Sequence, residues 1–64
     1  MMWTLVIFAA GISTAETVPN LSMCQQQYLA ANLSDVREAY CQSAAGNDRV
    51  YIVKDGAYFG INAR

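Results

Sequence analysis

Trp3-Thr4-Leu5-Val6-Ile7-Phe8-Ala9-Ala10-Gly11-Ile12 is the stretch whose reading decides the fold. It is rich in β-branched and aromatic residues, short, continuous and ended by a glycine. That pattern predicts a strand buried on both faces. The same run also has the length of a signal-peptide core, and Ser13-Thr14-Ala15 then offers the small residues a signal peptidase reads. Against cleavage, Met1-Met2 carries no Lys or Arg. The run is also shorter than the roughly 18 apolar residues a membrane-spanning helix needs, so no transmembrane span is expected.

Working outward, the C-terminal Arg49-Val50-Tyr51-Ile52-Val53-Lys54-Asp55-Gly56-Ala57-Tyr58-Phe59-Gly60-Ile61 carries the most specific local signal. Asp55-Gly56 favours a two-residue type I′ turn between paired strands. That turn sets Lys54 against Ala57, Val53 against Tyr58, Ile52 against Phe59, Tyr51 against Gly60 and Val50 against Ile61. Strict alternation then puts Val50, Ile52, Phe59 and Ile61 on one apolar face, expected to meet a helix. On that reading Phe59→Ala costs about 3–5 kcal/mol. Tyr51, Val53 and Tyr58 fall on the other face. A lone hairpin is marginal in water, and residues 3–8 are the credible third strand.

Between the two lies a helical segment. Pro19-Asn20 signals a turn, and Ser22 with Gln25 completes a Ser-x-x-Gln capping box ahead of a helix over 23–31. Cys24, Tyr28 and Ala31 share one face of it. Asn32 is suited to a left-handed C-cap, with Leu33 folding back on the helix. Ser34 then caps a second short helix through Val36, Ala39 and Tyr40; one continuous helix over 23–43 is the alternative. Ser13 to Asn20 reads as a connector or a short second strand, and residues 44–48 as a loop. Asn20-Leu21-Ser22 and Asn32-Leu33-Ser34 match the glycosylation pattern, but both read more naturally as helix boundaries.

Cys24 and Cys41 are the only cysteines. Two thiols without any histidine cannot form a four-ligand zinc site. In an oxidising compartment they would pair; in a reducing one they are small core residues or, third, a reactive thiol. The absence of histidine also removes His-based triads and Cys-His dyads. The five Asp and Glu residues sit apart beside turns and opposite charges, and four glycines form no phosphate-binding loop. No catalytic, cofactor-binding or metal-binding residue is assigned, and the chain is read as not an enzyme.

Composition points the same way. A chain of 64 residues is one domain (1–64, with 1–15 the removable segment on the cleavage reading). It buries only about 60% of its unfolded surface. Its hydrophobic fraction of 55% exceeds what so small a core hides, which points to a protein partner or a homo-oligomer. A net charge of −1 with scattered Arg37, Arg49, Lys54 and Arg64 gives no footprint for nucleic acid. Tyr51, Val53, Tyr58 and Trp3 are the candidate interface residues; the competing account of the tyrosines is a solvent-side pair that stabilises the hairpin.

The chain is similar to short proteins encoded by phages and prophages that open with an apolar run, here Trp3-Thr4-Leu5-Val6, and carry an early and a later cysteine, here Ser22-Met23-Cys24 and Tyr40-Cys41. The resemblance implies no activity and no functional residue. The expectation is therefore an α+β domain: a small antiparallel sheet of the N-terminal strand plus the C-terminal hairpin, packed on one or two helices. Its expected role is a non-catalytic protein-interaction module, a phage or prophage accessory protein, cytoplasmic or virion-associated. The alternative is a secreted or periplasmic small protein beginning at Glu16 and closed by Cys24 and Cys41.

Overall fold

The computed structural model describes residues 2–46 and 48–59. The opening run forms strand β1 (Trp3–Ala9). Gly11, at φ 73°, turns it back into β2 (Ile12–Val18), so the segment weighed as a connector is a full second strand. Helix α1 (Leu21–Ala31) follows, then β3 (Val36–Ser43), β4 (Arg49–Lys54) and the short β5 (Ala57–Tyr58). The five strands make one antiparallel sheet in the order β2-β1-β3-β4-β5, with α1 packed on one face. An α+β domain with an antiparallel sheet is what the sequence predicts.

The strand arrangement differs in detail. β1 does not pair with the C-terminal hairpin; β3 stands between them. Neither the second helix from Ser34 nor the continuous helix over 23–43 forms. Asn32, at φ 49° and ψ 46°, ends α1 as the left-handed cap, its N–H donating to the Leu29 carbonyl. Asp35, at φ 56°, then redirects the chain into β3. Leu33, which follows the cap, is 39% exposed.

The helix start also moves. Asn20, not Ser22, is the N-cap: its Oδ1 accepts from the Met23 N–H at 2.8 Å, and its carbonyl takes the first helical bond from Cys24 at 3.0 Å. Asn and Ser compete closely for this position. Pro19 immediately ahead keeps the chain extended up to the cap.

β1 is buried mainly on one face rather than both. Leu5 and Ile7 are buried beneath α1, Thr4 and Val6 are partly buried on the opposite side, and Phe8 there is exposed. The core comprises Leu5, Ile7, Val18, Cys24, Ala39, Cys41, Ile52 and Val53, with Trp3, Leu21, Met23, Tyr28 and Val36 packed around it.

The Asp55-Gly56 turn forms with both residues at positive φ, 54° and 80°, as a type I′ turn requires. Val53 pairs with Tyr58 and Lys54 with Ala57, and the Phe59 N–H donates to the Ile52 carbonyl at 2.7 Å. The pairings expected for Gly60 and Ile61 lie outside the described residues. The predicted division of faces fails at a bulge. Tyr40 pairs with Tyr51, yet Ala39 pairs with Val53, so Ile52 is an extra residue in β4. A bulge turns two successive side chains to the same face. Ile52 and Val53 are therefore both in the core, at 0% and 4% exposure. Alternation restarts out of phase beyond them, and Phe59 is left 52% exposed.

The large truncation cost accordingly belongs to Ile52. Ile52→Ala is expected to destabilise by about 2–5 kcal/mol, whereas Phe59→Ala should cost about 1 kcal/mol or less. Urea unfolding of the two variants followed by circular dichroism measures this, and equal losses would reject the bulge.

Candidate functional site

Register determines which side chains share the sheet face that α1 leaves open. Residues paired across antiparallel strands project to the same side. One transverse row on that face runs Ala15–Val6–Tyr40–Tyr51 through four strands. A polar row beside it runs Thr17–Thr4–Gln42–Arg49, and a third runs Ser13–Phe8–Glu38.

Arg49 ties the first two rows together. Its guanidinium carbon lies 4.1 Å from the Tyr40 ring centroid and 5.8 Å from that of Tyr51. Its Nε donates to Gln42 Oε1 at 2.6 Å and its Nη1 to the Tyr51 hydroxyl at 3.1 Å. Gln42 Nε2 in turn donates to the Asp48 carbonyl at 2.9 Å, so the amide is fixed at both ends. The hydrogen bond to Tyr51 raises the Arg49 pKa above its ordinary value; burial works against this, and the charges of Tyr40, Tyr51 and Glu38 add to it. Arg49 therefore remains a permanent cation on this face. Tyr40 and Tyr51 meet edge to face, with centroids 5.4 Å apart, and Lys54 Nζ lies 4.7 Å from the Tyr51 ring. The face thus presents tyrosine rings clasped by two cations, beside Val6 and the exposed Phe8.

The four candidate interface residues are not brought together. Tyr51 is on the open face. Val53 belongs to the core and is withdrawn from the candidate interface, because the bulge turns it inward. Tyr58 shares Val53's side, so it lies on the helix side of the sheet edge, 59% exposed. There it neighbours Tyr28, whose hydroxyl pKa is raised, first by burial and then by Tyr58. Trp3 packs partly buried on the helix side and lines a shallow hollow of about 190 Å³ with Leu21, Asp48, Arg49 and Val50. Sequence reasoning missed Tyr40, Arg49, Phe8 and Val6. Reading Val36-Arg37-Glu38-Ala39-Tyr40 as a strand would have put Tyr40 among them.

On the covered face, Cys24 of α1 and Cys41 of β3 stand at disulfide distance, with Cα atoms 6.2 Å apart and both residues fully buried. Cys41 sits across from Leu5 on one side and Val50 on the other, so the bridge pins the helix over the sheet's centre. Among the described residues no group of three or more Cys, Asp or Glu side chains is gathered as a metal site, and no helix is long and apolar enough to cross a membrane. No protein-family model matches the chain, and no curated protein or solved structure matches it significantly.

The bridge closes 17 residues of chain, which corresponds to about 3 kcal/mol in the loop-entropy account. Reduction, or Cys24→Ala with Cys41→Ala, should lower the unfolding free energy by that order. Denaturant titration with and without reductant checks this. No difference between the two would mean that the thiols are unpaired in the isolated protein.

Proposed function

We propose that this chain is a non-catalytic protein-interaction module that docks a partner on the open face of its sheet. The observation that supports it best is the Tyr40–Arg49–Tyr51 cluster, flanked by Val6, Phe8 and Lys54 on a face that no element among the described residues covers. Tyrosine and arginine are the residue types that dominate docking hot spots. Arg49 and Lys54 outnumber the single Glu38 there, which favours a partner presenting acidic and apolar groups together. A role as an accessory protein of a phage or prophage is the setting that the resemblance of the opening run and cysteine spacing suggests.

The second reading, an exported protein beginning at Glu16, draws support from the spacing of Cys24 and Cys41, since disulfides persist in oxidising compartments. It has a structural cost. A cut before Glu16 removes all of β1 and most of β2, and with them Leu5 and Ile7 from the core. β3 would lose its neighbour, and the remainder would have to fold differently.

Partner capture from the native host followed by reconstitution with the identified protein tests the docking reading. Phe8→Lys should weaken binding about tenfold or more, while Gln26→Lys on the exposed side of α1 should leave it unchanged. A native protein whose intact mass begins at Glu16, or binding indifferent to Phe8→Lys, would overturn it.

A further inference from the structure

β2 is an edge strand of unusual openness. The Ala44 N–H donates to the Met2 carbonyl in the register that pairs β1 with β3. Backbone groups alternate sides along a strand, so the even-numbered residues of β1 bond toward β3 and Trp3, Leu5, Ile7 and Ala9 bond toward β2. Their partners Val18, Glu16, Thr14 and Ile12 are thereby satisfied. The N–H and C=O groups of Ser13, Ala15 and Thr17 point away from the sheet.

Nothing among the described residues protects them. Folded proteins shield such edges with lysines, prolines, bulges or very short strands. β2 runs seven residues, pairs with β1 without a register shift, has Pro19 only beyond its end, and carries Glu16 as its single charge. Ile12, at the same edge, is 51% exposed.

We propose that two copies of the chain join through β2, antiparallel about a two-fold axis at Ala15, so that two five-stranded sheets become one sheet of ten. This rests on the reading of the chain as an interaction module and names a second copy as one of its partners. Three outward-facing residues limit the register. Centring on Ala15 sets Ser13 against Thr17 and Ala15 against itself, and every outward N–H and C=O on both strands finds a partner. Sliding two residues toward the C-terminus would pair Ser13 with Pro19, which has no N–H, and would set Glu16 directly against Glu16. Sliding the other way would oppose Glu16 to Ile12 and push pairing into the turn at Gly11. In the Ala15 register Glu16 faces Thr14, Ile12 faces Val18, and the two Glu16 side chains are diagonal neighbours only.

Two-fold symmetry also joins the open faces. The row Ala15–Val6–Tyr40–Tyr51 of one copy continues into the same row of the other, giving one docking face across both copies.

Sedimentation equilibrium from about 1 μM to about 1 mM, with the whole chain, reads the association. The wild-type protein should approach twice 7.0 kDa. Ala15→Lys and Ala15→Glu, each at an exposed edge site, should weaken the dimer about tenfold or more, because like charges meet across the axis. An equimolar mixture of the two should recover the dimer as a heterodimer. Ser13→Lys with Thr17→Glu in one chain should tighten it, a gain that misfolding cannot mimic. A wild-type monomer throughout, a dimer indifferent to Ala15→Lys, or a mixture no tighter than either variant alone would overturn the proposal. The Phe8-dependent docking of another protein would stand or fall separately, since Phe8 lies off the edge.

Discussion

The constraint that governs this molecule is that one short helix must dry a five-stranded sheet. A helix about 10 Å across covers roughly two strands spaced about 4.8 Å apart. α1 lies over β1 and its neighbours, and there the core collects: Leu5 and Ile7 from β1, Ala39 and Cys41 from β3, Ile52 and Val53 from β4. Beyond these strands only Val18, at the end of β2, reaches the core, and the rest is left wet. Ile12, Thr14 and Glu16 of β2 face the helix side yet stay exposed, as Tyr58 does at the opposite edge. Part of the surplus of apolar residues in the composition is thereby located, at Phe8 on the open face, at Ile12 and Tyr58 on the sheet edges, and at Leu29 and Leu33 around the end of α1.

That constraint gives the cysteine pair and the bulge their importance. With so little area under the helix, its position is worth fixing, and Cys24 and Cys41 fix it at the centre of the contact, where both are fully buried. The bulge serves the same end from the sheet side. By turning Ile52 and Val53 inward together, it places two large side chains in the core where strict alternation would give one. Among the described residues Ser43 is the one buried polar side chain; its hydroxyl accepts from the Ala45 N–H, and no buried side-chain polar atom there is left without a partner.

What the sequence made legible was local. The Asp55-Gly56 turn and its first pairings, the left-handed cap at Asn32, the reading of the stretches 20–22 and 32–34 as helix boundaries, and the strand in the opening run each follow from a few adjacent residues. β3 was hidden because Arg37, Glu38 and Ala39 are helix formers, while its real signature is quieter: Ala39, Cys41 and Ser43, small residues at period two, facing a helix that approaches closely enough to bridge to the middle one. Intrinsic preference lost to tertiary context there. The bulge was illegible for a different reason. It exists only relative to β3, so an error about β3 carried over into every side-chain direction after Ile52, including the assignments of Val53, Tyr58 and Phe59.

The open face is more than what the helix failed to cover. A sheet face left merely to solvent needs polar residues and little order among them, as the exposed Ser13 and Thr17 illustrate. Around Tyr40 and Tyr51 the chain instead holds a guanidinium by two hydrogen bonds and two rings, and fixes its acceptor Gln42 to the backbone at Asp48. Such a network costs side-chain freedom within the free protein, and that loss is then not incurred again when a partner arrives. The placement of Arg49 over Tyr40, with its charge kept on a half-apolar face, stabilises the cross-strand pairing of β3 and β4 and is also the feature on which the proposed docking role rests.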